Sequence, residues 1–188
     1  MASAGPDDHA ALVALLRERS VRFGDFVLAS GARSSYYIDC RPTTMSAPGQ
    51  VLIGELGIAA IDAAGWHPEA VGGLTMGADP IAYAIAAASM RAGHPIDSFA
   101  VRKEAKLHGT GKRIEGNFRS GMKVVVIEDV ITTGASALTA VAAVRNAGGE
   151  VIGALALVDR EAGGRAAIEA SGVEVRVLVG ADELGLRA

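Results

Sequence analysis

A doubly wound α/β fold, with a mostly parallel five-stranded sheet flanked by helices and a small N-terminal hood, is what this sequence predicts. Three observations lead to it. Val124-Val125-Val126-Ile127 is a run of β-branched apolar residues without polar alternation, the pattern of a strand buried on both faces, as strands of parallel sheets are. Strand-like and helix-like segments alternate from Ala70 onward, which favours βαβ units. Polar, glycine-bearing loops fall where the predicted strands end, the position at which open α/β sheets take their ligands.

The elements follow in order. Asp7 or Asp8 caps a first helix to about Arg19, with Leu12, Val13, Leu15 and Leu16 as its apolar stripe. Two β-rich pieces, Phe23 to Gly31 and Ala32 to Asp39, join at Ser30-Gly31-Ala32-Arg33 and read as a hairpin. With the first helix they form the hood, approximately residues 1–45, on a core of approximately 50–180. A helix from Gln50 to Ala64 stops at Gly65, before the Trp66-His67-Pro68 turn. Ala70 to Leu74 is a strand, and Asp79 then caps a helix from Pro80 to Arg91 with Gly93 past its end. Strand Ile96 to Arg102 runs into Lys103 to Gly116. There Gly109, Gly111 and Gly116 disfavour regular structure, while Lys103, Lys106, His108, Lys112 and Arg113 gather positive charge. That segment reads as a mobile basic lid. After the central strand come a helix from Ala137 to Asn146, a strand from Val151 to Val158, a short helix from Arg165 to Ala170 and a last strand from Val173 to Val179.

Composition narrows the function classes. With 188 residues, 50% of them apolar and 21% charged, the chain reads as one globular domain spanning residues 1–188. A net charge of −3 argues against a general nucleic-acid binder, so an anion site must be a local gathering of cations. Cys40 is the only cysteine, which leaves no intrachain disulfide and no cysteine-based metal site. No secretory leader pattern opens the chain and no uninterrupted apolar run is long enough to span a membrane. A cytoplasmic location is the expectation.

The chemistry-bearing stretch is Glu128-Asp129-Val130-Ile131-Thr132-Thr133-Gly134-Ala135-Ser136. Small hydroxyl and glycine residues leading into a helix suit a phosphate, which would meet free N–H groups and the positive end of the helix dipole. Neither a P-loop nor a dinucleotide fingerprint occurs. Acids beside a phosphate cradle make sense where the ligand also brings sugar hydroxyls, Mg²⁺ or both. Thr75-Met76-Gly77-Ala78 is a second anion-friendly loop between a strand and a helix.

Val124 to Ser136 resembles the phosphoribosyl-diphosphate (PRPP) signature of type I phosphoribosyltransferases. Three further stretches narrow the resemblance to the orotate phosphoribosyltransferases, over roughly residues 20 to 165. These are Ser30-Gly31-Ala32-Arg33-Ser34 followed by Tyr36-Tyr37, the Arg102-Lys103-x-x-Lys106-x-His108 run, and Arg160 directly after a strand.

The resemblance implies Mg²⁺-dependent transfer of phosphoribose from PRPP to orotate, giving orotidine 5′-monophosphate and diphosphate, in pyrimidine synthesis. By that resemblance Glu128 and Asp129 face the ribose hydroxyls, Val130 to Ser136 hold the 5′-phosphate, and Thr75, Met76 and Gly77 receive the diphosphate. Arg102 and Lys103 bind diphosphate oxygens, while Lys106 and His108 neutralise or protonate the leaving group, with Asp129 counted among the catalytic residues. Tyr36, Tyr37, Thr132 and Arg160 form the orotate pocket, Arg160 as a bidentate partner for its carboxylate. Mg²⁺ is expected on substrate oxygens and water, with no direct protein cage. The resemblance also implies a homodimer whose lid reaches the neighbouring site, and no nucleic-acid or membrane partner. The chain departs from some orotate enzymes in having Ala29 and Met76 where they carry lysines. Transfer to another base, or a PRPP-sensing regulator, are the competing readings.

Overall fold

The computed structural model describes residues 5–27, 33–104 and 113–186. Its organising strand is β6 (Lys123–Ile131). Val124 and Val126 pack into one hydrophobic cluster and Val125 and Ile127 into the other, all four fully buried. Both faces of the strand are therefore covered, which is why its sequence shows no polar alternation.

Around it lie β3 (Ala70–Leu74), β4 (Asp97–Val101), β5 (Ile114–Gly116), β7 (Glu150–Asp159) and β8 (Val175–Gly180), in the order β5-β4-β3-β6-β7-β8. Five of these strands run parallel, as expected. The sixth, β5, is an addition that lies antiparallel on the edge of β4, with Ala100 opposite Glu115 and Val101 opposite Ile114. Ile114 and Glu115 belong to the lid that the sequence predicts. The open edge of β4 offers backbone groups that need partners, and Ile114 to Gly116 supply them.

One face of the sheet is covered by α1 (Pro6–Arg19), α3 (Ala47–Ala63) and α4 (Ala78–Ala92), the other by α5 (Ala135–Asn146) and α6 (Gly164–Glu169). Between α1 and α3 come β1 (Val21–Val27), β2 (Arg33–Ile38) and a short α2 (Arg41–Thr44) that the sequence did not announce. β1 and β2 pair antiparallel, with Phe23 opposite Tyr36. The expected hairpin turn at Ser30 to Ala32 lies outside the described residues, as does most of the predicted lid.

Two helix starts differ from expectation. Gly5 caps α1 and its N–H is accepted by Asp8 Oδ2 at 3.0 Å, so the aspartate acts from inside the first turn. α4 begins at Ala78 with Gly77 as its cap, which leaves Asp79 inside the helix rather than capping it. α3 begins earlier than predicted, because Ser46 Oγ accepts from Gly49 N at 3.1 Å and Pro48 sits in its first turn.

Glycines permit the closest packing. A Cβ on Gly54 would stand 2.7 Å from the Ala84 carbonyl oxygen, which is how closely α3 approaches α4. Gly153 on β7 lies under the buried Trp66 ring, where a Cβ would come within 2.4 Å of a ring carbon. Gly153→Ala is therefore expected to destabilise the protein by about 1–3 kcal/mol and lower Tm by several degrees in thermal denaturation.

Candidate active site

β6 ends by delivering Glu128 and Asp129 to the carboxyl edge of the sheet. They stand in the floor of a cleft of about 710 Å³ lined also by Tyr37, Thr75, Met76, Lys103 and Arg160. A smaller pocket of about 100 Å³ opens beside it. Thr133, Gly134 and Ala135 line that pocket alone, while Glu128, Val130, Thr132 and Ser136 are shared between the two. The geometry suits a ligand with a compact anionic end and a larger body.

The small pocket is the N-terminus of α5. Its cap, Gly134, has φ +79° and makes no side-chain capping bond, so the first-turn N–H groups are left for an anion. A Cβ at Gly134 would lie 2.7 Å from the Gly164 carbonyl oxygen, so glycine is needed both for the conformation and for the space.

Glu128 is 8% exposed, and its Oε2 has no partner among the described residues. Burial, then the charge of Asp129, then a hydrogen bond with it push the Glu128 carboxyl up to about 8. Asp129 Oδ1 accepts from Val130 N at 2.9 Å. The β3–α4 loop covers Asp129 so closely that a Cβ on Gly77 would stand 2.5 Å from its carboxyl carbon. Thr75 N donates to the Val101 carbonyl at 2.9 Å, tying that loop to β4, and the Thr75–Met76 peptide is cis.

Arg160 follows β7, and its N–H donates to the Ile131 carbonyl at 3.0 Å. Its guanidinium carbon lies 4.8 Å from the centroid of the buried Tyr36 ring, a cation–π contact. Neither flanking acid pairs with it, since Asp159 Oδ1 accepts instead from Glu161 N at 2.8 Å. Arg160 Nε is buried without a partner among the described residues. Asp79 Oδ1 is the third such atom on this cleft, and burial raises the Asp79 carboxyl. Buried polar groups without partners are rare in folded proteins, and three around one cleft mark it as built for a ligand.

The residues predicted from sequence separate into groups. Glu128, Asp129, Val130, Thr132, Thr133, Gly134, Ala135 and Ser136 come together as expected, with Thr75, Met76, Gly77, Lys103, Tyr37 and Arg160 around them. Ile131 lines neither pocket: its side chain is buried in the core and its carbonyl accepts from Arg160 N. The tyrosine pair splits, because strand alternation sends Tyr37 to the cleft and turns Tyr36 into the core beneath Arg160. Arg102 turns away from the cleft, with its Nε 3.1 Å from Glu115 Oε1 on β5. Lys106 and His108 lie outside the described residues. Sequence reasoning missed Asp79, Cys40, Asp39 and Arg41, which also line the cleft. Asp79 had been read as a helix cap, and the only signal for the others was their position just after the tyrosine pair. The Cys40 thiol is pushed well above its ordinary value by burial, then by the charges of Asp129 and Asp39.

A phosphoribosyl transferase domain matches residues 51–176. An orotate phosphoribosyltransferase of Corynebacterium glutamicum is 48% identical over 184 residues, covering 98% of this chain and 97% of its own. The chain belongs to the orotate phosphoribosyltransferase family. A solved member, the Mycobacterium tuberculosis H37Rv enzyme in complex with PRPP, superposes with a TM-score of 0.81 at 44% identity, over 95% of this chain and 99% of that one. Saccharomyces cerevisiae adenine phosphoribosyltransferase shares the fold, with a TM-score of 0.67 at 17% identity over 90% of this chain and 99% of that one. The fold shared with these proteins is the α/β sheet built here around β6.

Glu128 links this site to stability. Its folded-state value of about 8 lies above the ordinary 4.5, so between those pH values the folded chain holds a proton that the unfolded chain releases. Stability from this group is fully present below about pH 4.5 and is lost as pH rises through about 8. Glu128→Gln is expected to flatten the decline in Tm across that window, measured by thermal denaturation of the ligand-free protein at stepped pH.

Proposed function

We propose that this chain transfers the 5-phosphoribosyl group from PRPP to orotate, giving orotidine 5′-monophosphate and diphosphate in the de novo route to UMP. The observation that carries this reading is the Arg160 guanidinium, stacked on Tyr36 with an unpartnered Nε, at a cleft floored by Glu128 and Asp129 and continuous with the α5 anion pocket. A planar fork free of protein carboxylates suits a ligand that brings its own, as orotate does. In this reading the 5′-phosphate takes the Thr132 to Ser136 pocket, the ribose hydroxyls face Glu128 and Asp129, and the diphosphate lies along Thr75, Met76 and Gly77.

Breaking the bond from the anomeric carbon to the diphosphate leaves positive charge on the ribose and gathers negative charge on the leaving group. Asp129, held by the Val130 N–H at 2.9 Å, would favour the developing cation. Lys103 lines the cleft from which the diphosphate must leave. Lys106 and His108, on the segment that follows Lys103, are proposed to neutralise or protonate the departing diphosphate as the lid closes and excludes water. Mg²⁺ is proposed to be carried mainly by PRPP oxygens and water, with the unpartnered Asp79 Oδ1 as a hard oxygen donor on the same cleft. When bound, it would screen the diphosphate charge.

A homodimer with a shared lid is part of the proposal. Val51 on α3 and Tyr83 and Met90 on α4 are more than half exposed, as apolar residues covered by a second copy would be in an isolated chain. No helix among the described residues is long and apolar enough to cross a membrane, and the proposed location is the cytoplasm.

The test is loss of orotate absorbance on adding PRPP and Mg²⁺, with adenine, guanine, xanthine and uracil in parallel. Orotate alone should be consumed, and turnover of a purine without turnover of orotate would overturn the assignment. Within the site, Tyr36→Phe should keep the stacked ring and the KM for orotate. Tyr36→Leu should raise that KM about threefold to thirtyfold, the loss of one partly desolvated cation–π contact, and leave the KM for PRPP unchanged.

A further inference from the structure

The loop proposed to receive the diphosphate is poor in positive charge. From 75 to 80 it reads Thr-Met-Gly-Ala-Asp-Pro, with no cationic side chain. Its surroundings are acidic: Asp79 carries an unpartnered buried oxygen, and the Asp129 carboxyl lies directly against Gly77. A diphosphate entering here would meet carboxylates and a methionine, so a cation from elsewhere in the chain, beside the Mg²⁺ that PRPP carries, would offset the repulsion.

Among the described residues lining the cleft, the cations are Arg41, Lys103 and Arg160. Arg160, stacked on Tyr36, is assigned to the orotate carboxylate in the reading above. Lys103 is carried on the segment leading to the lid. Arg41 stands at the loop itself: it lines the main cleft and also an adjoining hollow of about 530 Å³ that shares Asp39 and Met76 with it.

Arg41 is braced. Its Nε and one terminal nitrogen donate to the two oxygens of Asp39 at 2.8 Å each, and its backbone N–H donates to Asp39 Oδ1 at 3.0 Å. Those bonds hold the Asp39 carboxyl below the usual carboxylate range and fix the plane of the guanidinium. An arginine has five N–H donors, so this clasp leaves about three for a ligand. The side chain is 51% exposed, which keeps those donors accessible from the cleft.

We propose that Arg41, oriented by Asp39, is the cation that binds the diphosphate of PRPP against the Thr75-Met76-Gly77 loop. The assignment rests on the phosphoribosyl-transfer reading and deepens it, giving the loop the positive partner that its own residues lack.

The test compares ligands that differ only in the diphosphate. Calorimetric titrations with PRPP, inorganic diphosphate and ribose 5-phosphate, all with Mg²⁺, are run on the full-length wild type, Arg41→Ala, Arg41→Lys and Asp39→Asn. In Arg41→Ala the Kd for PRPP and for diphosphate should rise by about tenfold to a hundredfold, the range for charge-assisted hydrogen bonds, with ribose 5-phosphate unaffected. Arg41→Lys should recover part of the loss, and Asp39→Asn should show a smaller loss with the same ligand dependence. Unchanged diphosphate binding in Arg41→Ala, or an equal loss for ribose 5-phosphate, would overturn the assignment and leave the transfer reading intact. A wild type that binds none of the phosphoribosyl ligands would overturn both.

Discussion

The carboxyl pair at the end of β6, with Glu128 buried and Asp129 half-buried beside it, is the constraint on which the site depends. Glu128 is nearly sealed from solvent and Asp129 lies against the backbone of Gly77, so each charge must be met by a neighbour, a proton or a ligand. Burial and the neighbouring Asp129 charge raise the Glu128 carboxyl, which favours a proton there in the ligand-free chain. Hydroxyl donors on a bound sugar would take over that role, and the adjacent α5 N-terminus would hold the anionic tail.

That pair also dictates the packing around it. The β3–α4 loop can lie over Asp129 only because position 77 carries no side chain, and β6 can carry acids at its tip only because Val124 to Ile127 anchor it in both cores. The diphosphate loop itself carries no cationic side chain. Positive charge therefore comes from segments outside the sheet: Arg41 at the hood's exit, Lys103 after β4 and Arg160 after β7.

Arg160 shows how a cleft residue is held by a side chain that does not itself line the cleft. It takes the face of Tyr36 as its neighbour while Asp159 Oδ1 accepts from the Glu161 backbone N–H, so its fork stays available. Tyr36 and Tyr37, adjacent in sequence, thus take different parts: one supports an arginine from the core, and the other faces the cleft.

From sequence alone came the parallel sheet, the acids at the end of its central strand, the hydroxyl-and-glycine loop and the arginine after β7, since each is written in a contiguous run whose pattern reflects local backbone geometry and burial on both faces. Tertiary structure alone decided the rest. The division of the tyrosines depends on which face of β2 meets the core, the turning of Arg102 to Glu115 on a strand that forms only against the edge of β4, and the displacement of Asp79 from cap to cleft on where α4 begins. Arg41 entered the site the same way, because its neighbours there, Met76 and Gly77, lie a helix and a strand further along the chain. Such contacts are set by packing between distant segments, which no local pattern encodes.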